Sequence, residues 1–244
     1  MNMRIFAWYA LLVAIACVTV SAQLDRQSAR TPSLALITPE PFRGFAQGQI
    51  AANAIASSSP ETALVHAQRL VARRPMPAET LRILAQAQFA AGQYDRALAT
   101  IQTAAKRGWR DAPSQEIMLR LAAGAGDHPE AARRFLALLL NNSSDDALLI
   151  QLSGDVFAEG ENAAVDQLGT IVAASPRWQS TFLRRAFRVV PPDILESIIV
   201  DAIGKGARFD CNLLRTTLEQ ISQGDGDVAA DEDLLSRSQC RIPV

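Results

Sequence analysis

Two regimes of apolar residues divide this chain. From Ile5 to Val20 nearly every residue is apolar, and no charge appears between Arg4 and Asp25. Beyond residue 44 the apolar residues recur at helical spacing instead, in short stripes interrupted by glycine or proline. Over 78–91, Leu81, Leu84, Ala85 and Gln88 share one helical face, and Ala90-Ala91-Gly92 closes the segment. Glycine suits the left-handed conformation that terminates a helix. Tyr94, Ala97, Ile101 and Ala104 then form the apolar stripe of the next helix. Lys106 and Arg107 fall in its last turn, where the helix dipole favours cations, and Gly108 ends it.

That unit repeats. Gly92, Gly126 and Gly160 are 34 residues apart, and the positions after them keep step. Tyr94 corresponds to His128 and Asn162, Ala97 to Ala131 and Val165, Ile101 to Phe135, and Ala104 to Leu138 and Val172. Upstream, Leu81, Leu84 and Ala85 match Gln115, Met118 and Leu119, then Leu149, Leu152 and Ser153. The period predicts helix–turn–helix units near 44–77, 78–111, 112–145 and 146–179, with a degenerate continuation over 180–222. Neither helix of a unit can bury its stripe alone, so the units must stack. Thr181–Val190 and Pro192–Ile203 read as a further pair, broken at Pro191-Pro192. Asp210 is placed to cap a terminal helix running through Ile221, with Cys211, Leu214 and Leu218 on one side.

This pattern resembles the tetratricopeptide repeat. The best match is Leu84-Ala85 … Gly92-x-Tyr94-x-x-Ala97-x-x-x-Ile101-x-x-Ala104, followed by Gly126-x-His128-x-x-Ala131-x-x-x-Phe135-x-x-Leu138. Departures occur. Leu81, Gln115 and Leu149 stand where an aromatic is expected, and Gly169 replaces an aromatic in the fourth unit. The resemblance implies an all-α, right-handed helix-turn-helix solenoid preceded by an N-terminal hydrophobic helix. It also implies a concave surface lined by the first helix of each pair, where a protein or peptide partner binds. Arg82, Ile83, Gln86 and Phe89 would face it from the second unit, and Glu116, Ile117 and Arg120 from the third. Ile150, Gln151 and Phe157 would follow, then Arg184, Arg185 and Arg188. Arg82, Gln86, Phe89, Arg120, Gln151, Arg184 and Arg188 are the expected partner contacts. Family members that hold chaperone C-terminal carboxylates use Lys and Asn at places occupied here by Gly48, Ala52 and Ile83, so that activity is not implied.

The N-terminal segment 1–22 is a signal peptide or a transmembrane anchor. The uncharged interval between Arg4 and Asp25 spans about 30 Å as a helix, the thickness of a bilayer core. Val20-Ser21-Ala22 carries the small residues that signal-peptidase cleavage requires, which would leave Gln23 first. Left uncleaved, the segment anchors the chain, with Arg4 cytoplasmic by the positive-inside tendency. Lipid attachment at Cys17 would need a leucine that Ala14-Ile15-Ala16-Cys17 lacks. Residues 23–43 hold Pro32, Pro39 and Pro41 and read as a semi-extended linker. The expected location is the bacterial inner membrane facing the periplasm, or the periplasm itself after cleavage.

Charge and composition narrow the function. With 24 basic and 25 acidic side chains the net charge is −1, which argues against nucleic-acid binding. Only His66 and His128 are histidine, and no phosphate loop, nucleophile elbow or metal-ligand spacing occurs, so no catalytic, cofactor or metal site is expected. Asp225-Gly-Asp227 lacks the glutamate that closes a calcium loop and reads as a solvated turn in an acidic tail, 223–244. Outside the N-terminal segment the only cysteines are Cys211 and Cys240. In an oxidising compartment they are expected to form a disulfide; two separate thiols are the alternative. Closing a loop of about 30 residues contributes roughly 3–4 kcal/mol in the chain-entropy view. The reading is a non-enzymatic interaction scaffold. Its alternative is an accessory or regulatory subunit of an envelope enzyme complex, for polysaccharide or outer-membrane assembly or proteolysis.

Overall fold

Neither helix of a pair can cover its own apolar stripe, and the computed structural model shows how these stripes are covered. It describes residues 3–57, 59–141, 144–158 and 161–222, together with 235 and 238. Among the described residues the regular elements are thirteen α-helices and one 3-10 turn, with no β-strand.

Helix α1 (Met3–Ser28) is a single run of 26 residues. Its segment from Ile5 is long and apolar enough to cross a membrane, and its side chains from Ile5 to Val20 are exposed. Linker residues 23–28 therefore continue this helix instead of extending, because no proline interrupts them. The prolines act only further on. A short helix α2 (Leu34–Ile37) and the 3-10 turn Glu40–Phe42 follow Pro32 and Pro39.

Helix pairs then succeed one another: α3 (Phe45–Ala56) with α4 (Pro60–Arg73), and α5 (Ala78–Ala90) with α6 (Tyr94–Arg107). Next come α7 (Ala112–Gly124) with α8 (His128–Leu139), and α9 (Asp146–Phe157) with α10 (Glu161–Ala174). First helices begin at 45, 78, 112 and 146, and second helices at 60, 94, 128 and 161, so the period read from the glycines is also the period of the helices. After them come α11 (Pro176–Val189), α12 (Pro192–Gly204) and α13 (Cys211–Ser222). Asp210 caps α13, accepting from the Leu213 N–H at 2.8 Å.

Contacts divide the chain into two compact units, 1–108 and 109–244. In the first, Ala51, Ala54, Ala63, Ala67 and Ala87 surround Leu70 and Ile83. Small side chains at these contacts let the helix axes approach closely. The second has a bulkier core built on Leu119, Phe135, Leu138, Leu152, Leu168, Phe182, Leu183 and Ile198. There α7 packs on α9, α9 on α11 and α11 on α13, while α8 packs on α10 and α10 on α12.

Gly92 and Gly126 have φ of 73° and 72° and make the same turn. Gln93 N–H bonds the Gln88 carbonyl at 2.8 Å, and Asp127 N–H bonds that of Ala122 at 2.9 Å. Only glycine takes this conformation without a side-chain penalty, which is why the residue recurs at this step. Gly160 lies outside the described residues. Tyr94 departs from its expected place in the buried stripe: at the first position of α6 it is 66% exposed, with its ring beside Phe89.

The packing around Gly169 leaves no room for a side chain. A methyl group there would overlap the Asp201 carboxylate and come within 3.2 Å of the Ala202 backbone nitrogen. α10 and α12 meet at this point, and Lys205 joins Asp166 and Asp201 beside it. Gly169→Ala is expected to lose about 1–3 kcal/mol through overpacking, although alanine favours helix. Urea denaturation of the variant at an unchanged m-value measures the loss.

Candidate interaction surface

In the second unit, α7, α9 and α11 lie side by side. They leave Arg120, Ile150, Gln151, Arg184 and Arg188 exposed, with Glu116 and Ile117 half-buried. The helical period puts these residues on the side away from Leu119, Leu152 and Leu183, each fully buried.

Arg120 lines a concavity in this row. A cleft of about 490 Å³ is lined by Arg120, Gly124, His128, Gly154 and Asp155 together with small alanines. Arg120 pairs with Glu116 at 3.0 Å and approaches Asp155 at 3.8 Å. His128 is half-buried, and its Nδ1 is buried without a hydrogen-bond partner among the described residues. The cleft thus offers a guanidinium, an imidazole and a carboxylate over a floor of small side chains. Its helical backbone is approachable because residues 124 and 154 carry no side chain.

In the first unit, Arg82 and Gln86 of α5 line a cleft of about 400 Å³ with Phe45, Gly48, Arg74 and Glu79. Arg74 stacks on the Phe45 ring, its guanidinium 4.0 Å from the ring centre. Phe89 is half-buried and packs beside Tyr94.

Three residues expected on this surface are inside. Ile83 is 6% exposed and joins the core of the first unit. Phe157 is 7% exposed, its ring edge-on to Phe135 at 5.9 Å. Arg185 is buried, and its role is structural. It donates to the carbonyls of Leu139 (3.0 Å), Asn141 (2.8 Å) and Ser144, and pairs with Asp146 at 2.9 Å. One guanidinium thus satisfies the carbonyls that α8 and the following loop leave unpaired. Arg188 bonds the other oxygen of Asp146 at 3.2 Å, so the carboxylate is shared between the core and the surface.

Asp25 was not among the expected site residues, yet it ties α1 to the first unit. Its carboxylate accepts from the N–H groups of Gly44 (2.8 Å), Phe45 (3.2 Å) and Ala46 (2.9 Å), at the start of α3. No local signal marks it, because the capping residue normally adjoins its own helix and this one lies 19 residues before it.

Cys211 is disulfide-bonded and Cys17 is free. Cys240 lies outside the described residues, as do Asp225 and Asp227 and most of the tail. Of the tail, Leu235 packs against the core of the second unit and Ser238 is buried. Among the described residues no group of three or more His, Cys, Asp or Glu side chains is placed to hold a metal ion.

Two contrasts follow. Arg185→Ala leaves the carbonyls of Leu139, Asn141 and Ser144 without their donor, while Asp146 keeps Arg188, and is expected to cost about 2–4 kcal/mol. Arg184→Ala on the same helix should stay within about 0.5 kcal/mol of the parent, and denaturant titrations of both compare them. His66 carries the second contrast. Gln47 Nε2 donates to its carbonyl at 3.0 Å and lies 3.2 Å from its Nδ1. Burial, then the charges of Arg69 and Arg43, hold its pKa below the usual histidine value. The folded state therefore binds fewer protons there than the unfolded chain. The stability contributed by neutral His66 is complete above about pH 6.5 and is lost as pH falls from there through the folded value. His66→Asn keeps an acceptor without the titration, and its unfolding free energy should fall less between pH 7.5 and 5.5.

No protein-family profile matches this chain, and a search of curated proteins finds no match.

Proposed function

We propose that this chain is a non-enzymatic protein-interaction scaffold of tetratricopeptide type. In this reading α1 holds it at the bacterial inner membrane and the helical pairs lie on the periplasmic side. The pairs stack as a right-handed superhelix whose first helices form the binding wall. The period of 33 or 34 residues in the helix starts supports the repeat reading. So do the separate rows of first and second helices in the second unit.

The observation that carries the binding reading is the exposed row on α7, α9 and α11, with its cleft at Arg120. Solenoids use such rows to hold extended or helical partners. Arginines spaced along it suit carboxylates on that partner, since guanidinium groups bond them in two-pronged fashion. The disulfide at Cys211 supports the periplasmic side, because such bonds persist in oxidising compartments. Flanking charge does not choose the orientation, as Arg4 precedes the apolar run and Arg26 and Arg30 follow it.

Photo-crosslinking in intact cells tests this. A crosslinking residue at Gln151 or Arg184 on the first-helix row should trap a discrete partner, and one at Ser197 or Val200 on α12 should not. Arg82→Ala, Arg120→Ala and Arg184→Ala combined should leave helical content intact and reduce the crosslink, more so at low salt. Equal trapping from both rows would remove the groove from the proposal.

A further inference from the structure

The end of α1 is built into the first unit, and the geometry of this joint bears on how the unit meets the membrane. One face of α1 is covered at its C-terminal end: Ser21, Leu24 and Asp25 are half-buried and Ser28 is fully buried. Coverage begins one residue after Val20, the last residue of the apolar run. Apolar and uncharged residues from Ile5 to Leu24 span about 30 Å as a helix, the depth of the hydrocarbon core. Asp25 then stands at the edge of that core, and the headgroup zone occupies roughly the next 5–7 Å.

Hydrogen bonds tie the neighbouring segment to this end of α1. Asp25 caps α3 through Gly44, Phe45 and Ala46. Arg43, the residue before Gly44, donates to the Thr38 carbonyl at 2.7 Å and to the Leu36 carbonyl at 3.4 Å. Arg73 fastens the far side, donating to the carbonyls of Glu40 (2.8 Å) and Arg43 (2.9 Å). α2 thus packs on both α1 and α3, with Ala35 fully buried between them. The two residues after Ala35 point the other way: Leu36 is 72% exposed and Ile37 63% exposed. Arg26 and Arg30, on α1 and the turn after it, are exposed nearby in the chain and carry the charge that lipid phosphates attract.

We infer that α2 is a second membrane contact: Leu36 and Ile37 enter the headgroup–acyl boundary of the bilayer that α1 spans, and seat the first unit on its surface. The inference rests on the reading of α1 as an uncleaved anchor. Two adjacent large apolar side chains held at the level of the core edge gain by leaving water, and the lipid interface is the apolar phase within their reach. Because the joint is hydrogen-bonded on both sides, α1 passes its position in the membrane to α3 directly.

The test uses the full chain with Cys17→Ser, the native disulfide retained, and one new cysteine carrying an environment-sensitive fluorophore. Leu36→Cys and Ile37→Cys are the probes, Val13→Cys reports on α1, and Tyr94→Cys reports an exposed site in the same unit. Each protein is placed in phosphatidylethanolamine–phosphatidylglycerol vesicles with a quencher on the upper acyl chain. Emission at 36 and 37 should shift to the blue and be quenched severalfold more than at 94. If 13 is shielded from water while 36 and 37 behave like 94, α2 stays in water and the inference is overturned. If 13 is itself in water, or mass spectrometry shows the chain beginning at Gln23, the anchor reading fails and this inference falls with it.

Discussion

A helix of twelve to fourteen residues is unstable alone in water, and every helix from α3 to α13 is of this length. Such helices form because a neighbour covers the apolar stripe, so pairing precedes every other feature of the structure. Within the first unit alanine dominates the contact, and closeness does the work that bulk does elsewhere. Within the second unit phenylalanine and leucine fill the wider spaces, and where α10 meets α12 Gly169 leaves the room that the Asp201 carboxylate occupies. The repeat tolerates both solutions because it requires only that facing stripes be apolar and their volumes complementary.

Polar chemistry is spent mainly on ends and loops. Asp111, Asp127, Asp145 and Asp210 each accept a backbone N–H at the start of a helix. Arg185 serves the opposite ends, gathering carbonyls from the region after α8. Arg134 is likewise turned inward, bonding Gln115 and Glu130. Arginine can serve both a buried junction and an exposed wall because its planar group carries five donors and a long apolar stem. That versatility is why the arginines of α11 divide as they do: Arg185 is a staple, Arg184 is exposed, and Arg188 shares Asp146 with the staple.

The joint at Asp25 fixes the end of the apolar helix to the first unit. A loose linker would let the domain sample many orientations, whereas a helix that runs on to Ser28 and caps α3 restricts them. The prolines that suggested an extended tether instead shape the tight turns that bring α2 back against α1. Thr38 and Arg43 then hold the turn closed.

The sequence by itself determined the helical class, the period, the apolar span and the turn glycines, because each depends on residues a few places apart. Gly92 and Gly126 were readable since only a residue without Cβ takes that turn cheaply, and the α13 cap at Asp210 was readable since capping is local. The exposure of Arg120, Gln151 and Arg184 was readable too, since each lies opposite the buried stripe of its own helix. The rest depended on tertiary structure. Whether Ile83 and Phe157 face a groove or a core is settled by which neighbouring helix covers them, and a helical period of 3.6 residues leaves such flanking positions undecided. Arg185 became structural because the loop after α8 brings unpaired carbonyls to it from more than 40 residues away. The capping of α3 by Asp25 reaches across 19 residues to Gly44, and only the packing of the two helices could bring that carboxylate to those three N–H groups.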